Sequence, residues 1–343
     1  MGQLVALYRA ERLPRLSAAR QRTVRSMLAL LGQHFADALP VADLSQHRVD
    51  AYAAARRSGA IGSPRHRTKE PGARAGAIRN EVQLLATMVR WARQHRVNGR
   101  PLLVADPLEG VTRPRETNAR WPVTTDGRYA ATRAQALAVD PRGRFACLVV
   151  LARHTGRRIN ALVNLRASDV LRTRSQMEAA LGAVGQPLGA AAHWPHGALR
   201  FRKEFDKREY DAVVPISAGA RAALDAYLRE HPRLGDAPLF PSSSDDTKAA
   251  HKMLAGYWLR RAEKLAERPP MERGGWHALR RLRASERRHL PPQDVMAAGG
   301  WRSLAIMQTG YQHADAATTY GVVALEAASQ QIGGGQRAAR TAE

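Results

Sequence analysis

Residues 299–303 read Gly-Gly-Trp-Arg-Ser, and Tyr311 follows the tryptophan of this segment after ten residues. Upstream, residues 276–280 read Trp-His-Ala-Leu-Arg, which places an imidazole and a guanidinium three positions apart, on one face of a helix. Farther upstream, residues 155–158 read Thr-Gly-Arg-Arg after an apolar run, a pattern typical of a tight turn that leads into a helix. These three segments decide the prediction of the fold.

The three segments, in this order, resemble the tyrosine recombinase (phage integrase) family. In that family they read T-G-x-R, H-x-x-R, and G-H/W followed at a similar distance by the nucleophilic tyrosine. The family also has a lysine on a β-hairpin, a short distance before a Val-Pro or Ile-Pro pair. Lys207 stands at that distance before Val214 and Pro215, and Lys203, on the same stretch, is the alternative.

The resemblance implies a site that cleaves a phosphodiester without a metal or another cofactor. Its six catalytic residues would be Arg158, Lys207, His277, Arg280, Trp301 and Tyr311. Arginine suits this chemistry because its planar, always charged fork matches the phosphate oxygens as charge builds up. A tyrosine nucleophile would form a 3′-phosphotyrosyl link and so divide one difficult step into two reversible ones.

The family also implies how protons move during the reaction. Lys207 would protonate the leaving 5′ oxygen, and His277 would act as the base or relay for the tyrosine proton. Trp301 stands where many relatives have a histidine, and its indole N–H can donate a hydrogen bond but cannot transfer a proton. These assignments are expectations from the resemblance.

The sequence departs from the family pattern at Ala161, where relatives often carry a glutamate three residues after the first arginine. A group elsewhere must then support the arginine. Tyr320 is a rival nucleophile, but the Tyr311-Gln312-His313 context is the more similar to the family segment.

Composition agrees with a nucleic-acid partner. The 343 residues include 54 Lys and Arg against 30 Asp and Glu, a net charge of +24, and the isoelectric point is near 11.3. The electric field of such a positive net charge favours binding to a polyanion, and the affinity is then expected to fall steeply as the salt concentration rises. The alternative explanation is the amino-acid bias of a GC-rich genome that favours arginine.

Other compositional features exclude several classes of protein. Cys147, the only cysteine, lies in an apolar run and is predicted to be a buried core residue. The chain shows no stretch apolar enough to span a membrane, no signal-peptide core, and no zinc-binding or P-loop pattern. We therefore expect no metal, no cofactor and no membrane partner, and a cytoplasmic, nucleoid-associated location.

The predicted fold is mainly α with a small β-hairpin, in the two-domain architecture of the family. The predicted parts are a helical core-binding (SAM-like) domain over 1–110, a linker over 111–126, an α+β catalytic domain over 127–325 and a tail over 326–343. Proline and glycine interrupt the linker, as expected between domains.

Amphipathic helices are predicted over 18–35 and 76–97. On the second helix, Arg79, Arg90 and Arg93 fall largely off the apolar stripe and are candidates for contacts with DNA phosphates. A solvated helix face is the alternative interpretation of these arginines.

In the catalytic part, strands over 198–203 and 210–216 would form the lysine-bearing hairpin, and 173–195 reads as an insertion. The segment 318–332 has near-helical spacing. It would pack either into a neighbouring subunit, as in relatives, or onto its own domain.

The resulting hypothesis is a site-specific recombinase, such as a phage or mobile-element integrase. It would act on paired double-stranded DNA half-sites as a homotetramer, and be a monomer or weak oligomer when free. The alternatives are DNA relaxation of the type IB topoisomerase kind and an inactive DNA-binding accessory protein.

Overall fold

The structure is a computed structural model that describes residues 1–62, 72–114, 122–206, 211–271 and 274–312. The chain divides into two compact units, Met1–Ala119 and Arg120–Glu343, which we describe separately. The bounds of the predicted domains stay a prediction.

In the residues that the structure describes, the first unit is helical, with one antiparallel ribbon of two-residue strands in which Arg96 faces Pro101. Its elements are α1 (Gly2–Leu7), α2 (Ala18–Gly32), α3 (Gln46–Ser58), α4 (Ala75–Gln94), β1 (Arg96–Val97) and β2 (Arg100–Pro101). The two predicted helices correspond to α2 and α4. The first of them is capped by Ser17, whose side chain accepts a hydrogen bond from the Arg20 amide.

The longest helix, α4, is amphipathic and packs its apolar side into the core of this unit. Ile78, Leu85 and Val89 are fully buried. A polar network is buried beside them, in which the Glu81 carboxylate accepts hydrogen bonds from Arg56 and from the Tyr52 hydroxyl. The buried carboxylate is thus fully paired, as burial of a charge requires.

The second unit combines helices with a three-stranded sheet in the residues that the structure describes. Its helices are α5 (Asp126–Ala134), α6 (Ala136–Val139), α7 (Arg144–Thr155), α8 (Ile159–Val163), α9 (Arg174–Ala183), α10 (Ala218–Glu230), α11 (Lys252–Leu265), α12 (Gly275–Glu286), α13 (Pro292–Gly299) and α14 (Leu304–Gly310). Its strands are β3 (Val170–Leu171), β4 (Ala198–Phe201) and β5 (Ala212–Pro215).

The sheet is antiparallel in the order β3-β4-β5, and Leu199 pairs with Val214 in the predicted hairpin. The third strand, β3, is not predicted by the sequence, because two apolar residues are too few to show a period. One face of the sheet joins the main core around α7, in which Phe145, Leu148 and Leu151 are fully buried. Cys147 lies buried in this core, as the sequence predicts.

The segment 173–195 is folded rather than loop-like. It forms α9 and a 3-10 helix, Leu188–His193, which cover the other face of the sheet. Leu181 is fully buried there against Ala198 and Val213. The segment therefore supports the hairpin from behind.

Helices α12, α13 and α14 form a small cluster around Trp301, with Ala284, Val295 and Met307 buried beside it. Tyr311 follows α14 and packs against this cluster. Tyr320 and the predicted C-terminal helix over 318–332 lie outside the described residues. Within the described part of the chain, no helix combines the length and apolar character needed to cross a bilayer.

Candidate active site

The first arginine segment is a sharp turn at the end of α7. Gly156 ends the helix in the left-handed region (φ 67°), where a side chain would be strained. Arg158 follows in an extended conformation and is the residue from which α8 begins. The turn therefore projects two successive arginines, Arg157 and Arg158, from the end of a buried helix.

The two arginines have different surroundings. The Arg157 side chain is 1% exposed and donates to the carbonyl oxygens of Ala297 (3.0 Å) and Ala298 (2.9 Å). The Arg158 side chain is 21% exposed, and its Nη1 donates to the Asp206 carboxylate and to the Gly300 carbonyl, each at 3.1 Å. Arg157 is a structural side chain, whereas Arg158 can be reached from solvent.

The second arginine of the predicted site, Arg280, lies on α12 and is 1% exposed. Its Nη1 donates to the carbonyls of Gly156 and Gly299, and its Nη2 donates to that of Gly300 at 3.2 Å. Burial, and after it the charge of Arg158, lowers the pKa of Arg280 to about 9, so the side chain stays charged at neutral pH.

Trp301 is placed by the two glycines that precede it. A Cβ on Gly299 would lie 1.7 Å from the indole, and Gly300 adopts a positive φ of 70°. The indole is 1% exposed and stacks on the Arg280 guanidinium, whose central carbon is 3.8 Å from the ring centroid. Its Nε1 is buried and has no hydrogen-bond partner within the described residues.

Tyr311 completes this arrangement at the end of α14. Its ring meets the Trp301 ring edge-on, with centroids 5.4 Å apart, and lies 5.2 Å from the Arg280 guanidinium carbon. The Tyr311 backbone is held by Ser285, whose hydroxyl donates to the Tyr311 carbonyl at 3.2 Å. The predicted nucleophile is therefore next to the predicted phosphate-binding arginine.

His277 lies one helical turn before Arg280 on α12 and is exposed. Its ring centroid is 6.4 Å from that of Tyr311. The structure thus brings five of the six predicted residues into one cluster, drawn from the three segments singled out in the sequence. Their catalytic roles stay predictions.

The sixth residue, Lys207, lies outside the described residues. Its alternative, Lys203, is exposed in a 3-10 turn after β4, and its amide donates to Asp211 at 2.8 Å. Both lysines belong to the connection between β4 and β5, and the choice between them stays a prediction.

Asp206, which no sequence motif singles out, is buried between the two successive arginines. Its Oδ2 accepts from Arg157 at 2.9 Å and its Oδ1 from Arg158 at 3.1 Å. Ala161, by contrast, is buried on α8 without a polar side chain. The one feature of the sequence that could have pointed to Asp206 is its position directly before the predicted catalytic lysine, Lys207, within a basic stretch.

The three candidate DNA-binding arginines are all exposed on α4. Arg90 and Arg93 follow Arg79 by roughly three and four helical turns, so the three side chains share one side of the helix. The Arg93 guanidinium is 3.9 Å from Asp106. In the described part of the chain, no group of His, Cys, Asp and Glu side chains is arranged to hold a metal ion.

No family model and no curated protein matches the chain. Solved structures do match it, at low sequence identity. A lambda integrase dimer bound to a COC′ core site is 15% identical, with a TM-score of 0.63 over 90% of this chain and 76% of that one. The Tn1549 transposon integrase in complex with transposon right end DNA is 14% identical, with a TM-score of 0.63 over 95% and 98%.

The XerH site-specific recombinase bound to a palindromic difH substrate is 14% identical, with a TM-score of 0.62 over 89% of this chain and 79% of that one. All three are tyrosine recombinases. The chain therefore has the fold of the tyrosine recombinases, which confirms the predicted fold class: a mainly helical architecture with small antiparallel sheets.

Proposed function

We propose that this protein is a site-specific DNA recombinase that cleaves and rejoins DNA through a 3′-phosphotyrosyl intermediate at Tyr311. One observation carries the proposal. The Arg280 guanidinium lies against both the Trp301 and Tyr311 rings and shares the Gly300 carbonyl with Arg158. Two cations beside a tyrosine suit attack on a phosphodiester, whose negative charge repels nucleophiles and grows in the transition state.

The arginines would stabilise that charge. Arg158 is the cation that a phosphate can reach from solvent, since its side chain is partly exposed. Arg280 is covered by the Trp301 and Tyr311 rings, so its contact with a phosphate requires this packing to open. Backbone carbonyls hold both guanidinium groups, so this opening is the main rearrangement that the site needs before a phosphate binds.

In the proposed cleavage step, the Tyr311 oxygen attacks phosphorus and the bond to the 5′ oxygen breaks. The tyrosine proton passes to His277, and Lys207 supplies a proton to the leaving oxygen, so that a free 5′ hydroxyl results. Attack by a 5′ hydroxyl on the phosphotyrosine reverses the step and rejoins the strand. The phosphodiester energy is conserved in the covalent link, so the scheme needs neither ATP nor a metal.

The partner in this proposal is double-stranded DNA carrying paired half-sites. Its support is the net charge of +24 and the exposed arginines of α4. A further solved structure of similar fold is a lambda integrase tetramer bound to a Holliday junction, 13% identical to this chain with a TM-score of 0.63. We propose that this protein likewise assembles as a homotetramer on DNA.

Covalent capture tests the proposal without requiring a defined target sequence. The protein is incubated with duplexes that have a randomised central region, and protein–DNA adducts that survive denaturation are isolated, sequenced and mapped by mass spectrometry. We expect an adduct on Tyr311, and its complete loss in Tyr311→Phe. Recovered sequences then serve as defined substrates, on which the joining of two duplexes distinguishes recombination from relaxation.

Tyr257 offers a matched control, since it is an exposed tyrosine on α11 that contacts Arg261. Tyr257→Phe should form as much adduct as the wild type. Wild-type protein that binds the duplexes but forms no covalent adduct would contradict the proposed function.

A further inference from the structure

The Asp206 carboxylate is the buried acid of the candidate site. Its side chain is 4% exposed, and each of its oxygens accepts a hydrogen bond from a different arginine. A buried carboxylate that is paired on both oxygens has a fixed orientation. It can therefore hold a long, mobile side chain such as Arg158 in one place.

Asp206 is itself fixed through Arg157. That guanidinium donates to the carbonyls of Ala297 and Ala298 at the end of α13 and lies over the Phe201 ring at 4.5 Å. A Cβ on Gly300 would be 3.2 Å from the Asp206 carboxylate, so the Trp301 turn closes over this ion pair. The carboxylate thus joins the arginine turn to the tryptophan turn.

Position 161, three residues after Arg158, provides no side chain that could pair with this arginine. Ala161 has no polar atom in its side chain, and its helix turns its small side chain into the core. In the described part of the chain, the acidic group that contacts Arg158 is Asp206, which comes from the β4–β5 connection. The carboxylate that orients Arg158 therefore comes from the β4–β5 connection and not from α8.

The same connection is anchored a second time near its base. Asp211 accepts from Arg200 at 2.7 Å and from the Lys203 amide at 2.8 Å, which holds the ends of the connection together. Asp206 stands directly before Lys207 in the sequence. Asp206 therefore connects Arg158, which it contacts, with Lys207, which follows it in the sequence. In the proposed function these two side chains act on the same phosphate.

We infer that Asp206 is a positioning residue that orients Arg158 for phosphate binding, in place of the acid that is absent at position 161. This inference rests on the proposed function, and it assigns Asp206 no direct role at the phosphate or at the nucleophile. Asp206 acts mainly by orienting the guanidinium of Arg158, and its effect on Lys207 is secondary.

A double-mutant cycle tests this role on a substrate recovered by covalent capture. Asp206→Asn keeps the shape of the side chain but removes its charge, and we expect it to slow adduct formation by about 100-fold. In an Arg158→Ala background, the same change should have little further effect, because the side chain that Asp206 orients is gone. A merely structural role would give the same loss in both backgrounds and would overturn the inference.

A substrate with sulfur at the 5′ bridging position separates Arg158 from Lys207. Sulfur leaves without protonation, so it removes the need for a general acid but not the need for charge stabilisation. The Asp206→Asn defect should persist on this substrate. Complete rescue by sulfur would show that Asp206 acts through the lysine instead, and would overturn the assignment to Arg158.

Asp140→Asn is the matched control, since Asp140 is a buried carboxylate paired with Arg144 in the core, away from the site residues. It should lower stability without changing the rate of adduct formation by folded protein.

A second measurement uses no DNA. Exchange of the Arg158 guanidinium protons, followed by NMR, should be slow in the wild type and in Asp140→Asn, and fast in Asp206→Asn. Fast exchange in the wild type would refute the contact even if no adduct ever formed, whereas slow exchange without an adduct would contradict only the proposed function.

Discussion

Arg158 and Arg280 donate to the same acceptor, the carbonyl oxygen of Gly300. Two like charges are thereby held close together by one backbone group, and the charge of Arg158 contributes, after burial, to the lowered pKa of Arg280. Repulsion between the arginines is built into the fold, and a bound phosphate would relieve it. The Gly299–Trp301 turn is therefore as important to the site as the charged side chains.

Arg280→Lys should abolish most of the cleavage activity although the positive charge is kept. Lysine lacks the planar fork that reaches the carbonyls of Gly156, Gly299 and Gly300, so the turn and the cation would both be misplaced. We expect adduct formation to fall by about 10²- to 10³-fold. Arg144→Lys is the control, because Arg144 is also buried and also donates to a carbonyl, that of Pro241. An equal loss of activity in both variants would contradict a specific role for the Arg280 fork.

Gly299→Ala should damage the site through a steric clash. The added Cβ would lie 1.7 Å from the Trp301 ring, so the indole must leave its position on Arg280. Such overpacking costs about 1–3 kcal/mol or more in the free energy of unfolding. Gly127→Ala, in α5, meets no atom within 4 Å and should leave stability and cleavage almost unchanged. Urea unfolding and covalent capture would measure both effects.

The site can be predicted from the sequence where spacing along one element determines proximity. His277 and Arg280 share a helix and Arg158 follows a turn at the start of another, so local patterns indicate where each residue lies, whereas the resemblance to a family assigns them to one site. Asp206 cannot be found in this way, because its contact with Arg158 depends on how the β4–β5 connection meets the end of α7. No local period encodes such a contact.

The same limit applies to the fold. Long amphipathic helices such as α4 are predicted within a few residues, because their apolar faces repeat many times. The strand β3 and the helix α9 are not, since one is only two residues long and the other lies in a segment rich in glycine. Their structure depends on packing against the hairpin rather than on their own pattern.

Trp301→Phe separates the packing of the indole from its hydrogen bond. The Nε1 group is buried without a partner among the described residues, so its removal should cost only about 1 kcal/mol in the free energy of unfolding, mainly through lost volume. Adduct formation should still fall by about 10²-fold if the N–H binds the phosphate during cleavage. Thermal unfolding and capture kinetics on the same preparations would show this difference. Unchanged kinetics would assign Trp301 a packing role only.

His154 should make the protein less stable in mild acid. Its Nδ1 lies 2.8 Å from the Ser217 hydroxyl at the start of α10, and burial, followed by the charges of Arg153, Arg287 and Arg133, lowers its pKa. The unfolded state then binds protons more readily than the folded state does. Stability is therefore complete above the ordinary histidine pKa of about 6.5, and is lost as pH falls from there through the lower folded pKa. Urea unfolding at several pH values should show this slope in the wild type and a smaller slope in His154→Gln. Equal slopes would contradict the prediction.

Neutralising Arg79, Arg90 and Arg93 together should weaken DNA binding without unfolding the first unit. All three are exposed on one side of α4, opposite the buried residues that stabilise the helix. If each neutralises one phosphate, the triple glutamine variant should lower the slope of log affinity against log salt by roughly 3. Binding titrations over a range of salt concentrations would measure the slope, and circular dichroism would confirm the fold.

A matched triple variant on α2 distinguishes direct contacts between α4 and DNA phosphates from the long-range attraction between positive charge and DNA. Arg20, Arg22 and Arg25 are exposed on α2, so glutamine at these positions removes the same charge from the same unit. The long-range field falls equally in both variants, and only loss of direct phosphate contacts distinguishes them, because screening weakens distant charges. A larger loss of slope in the α4 variant would identify α4 as a DNA-contacting surface. A slope that falls by much less than 3 in both variants would favour the solvated-face interpretation, since neither helix would then contribute phosphate contacts of its own.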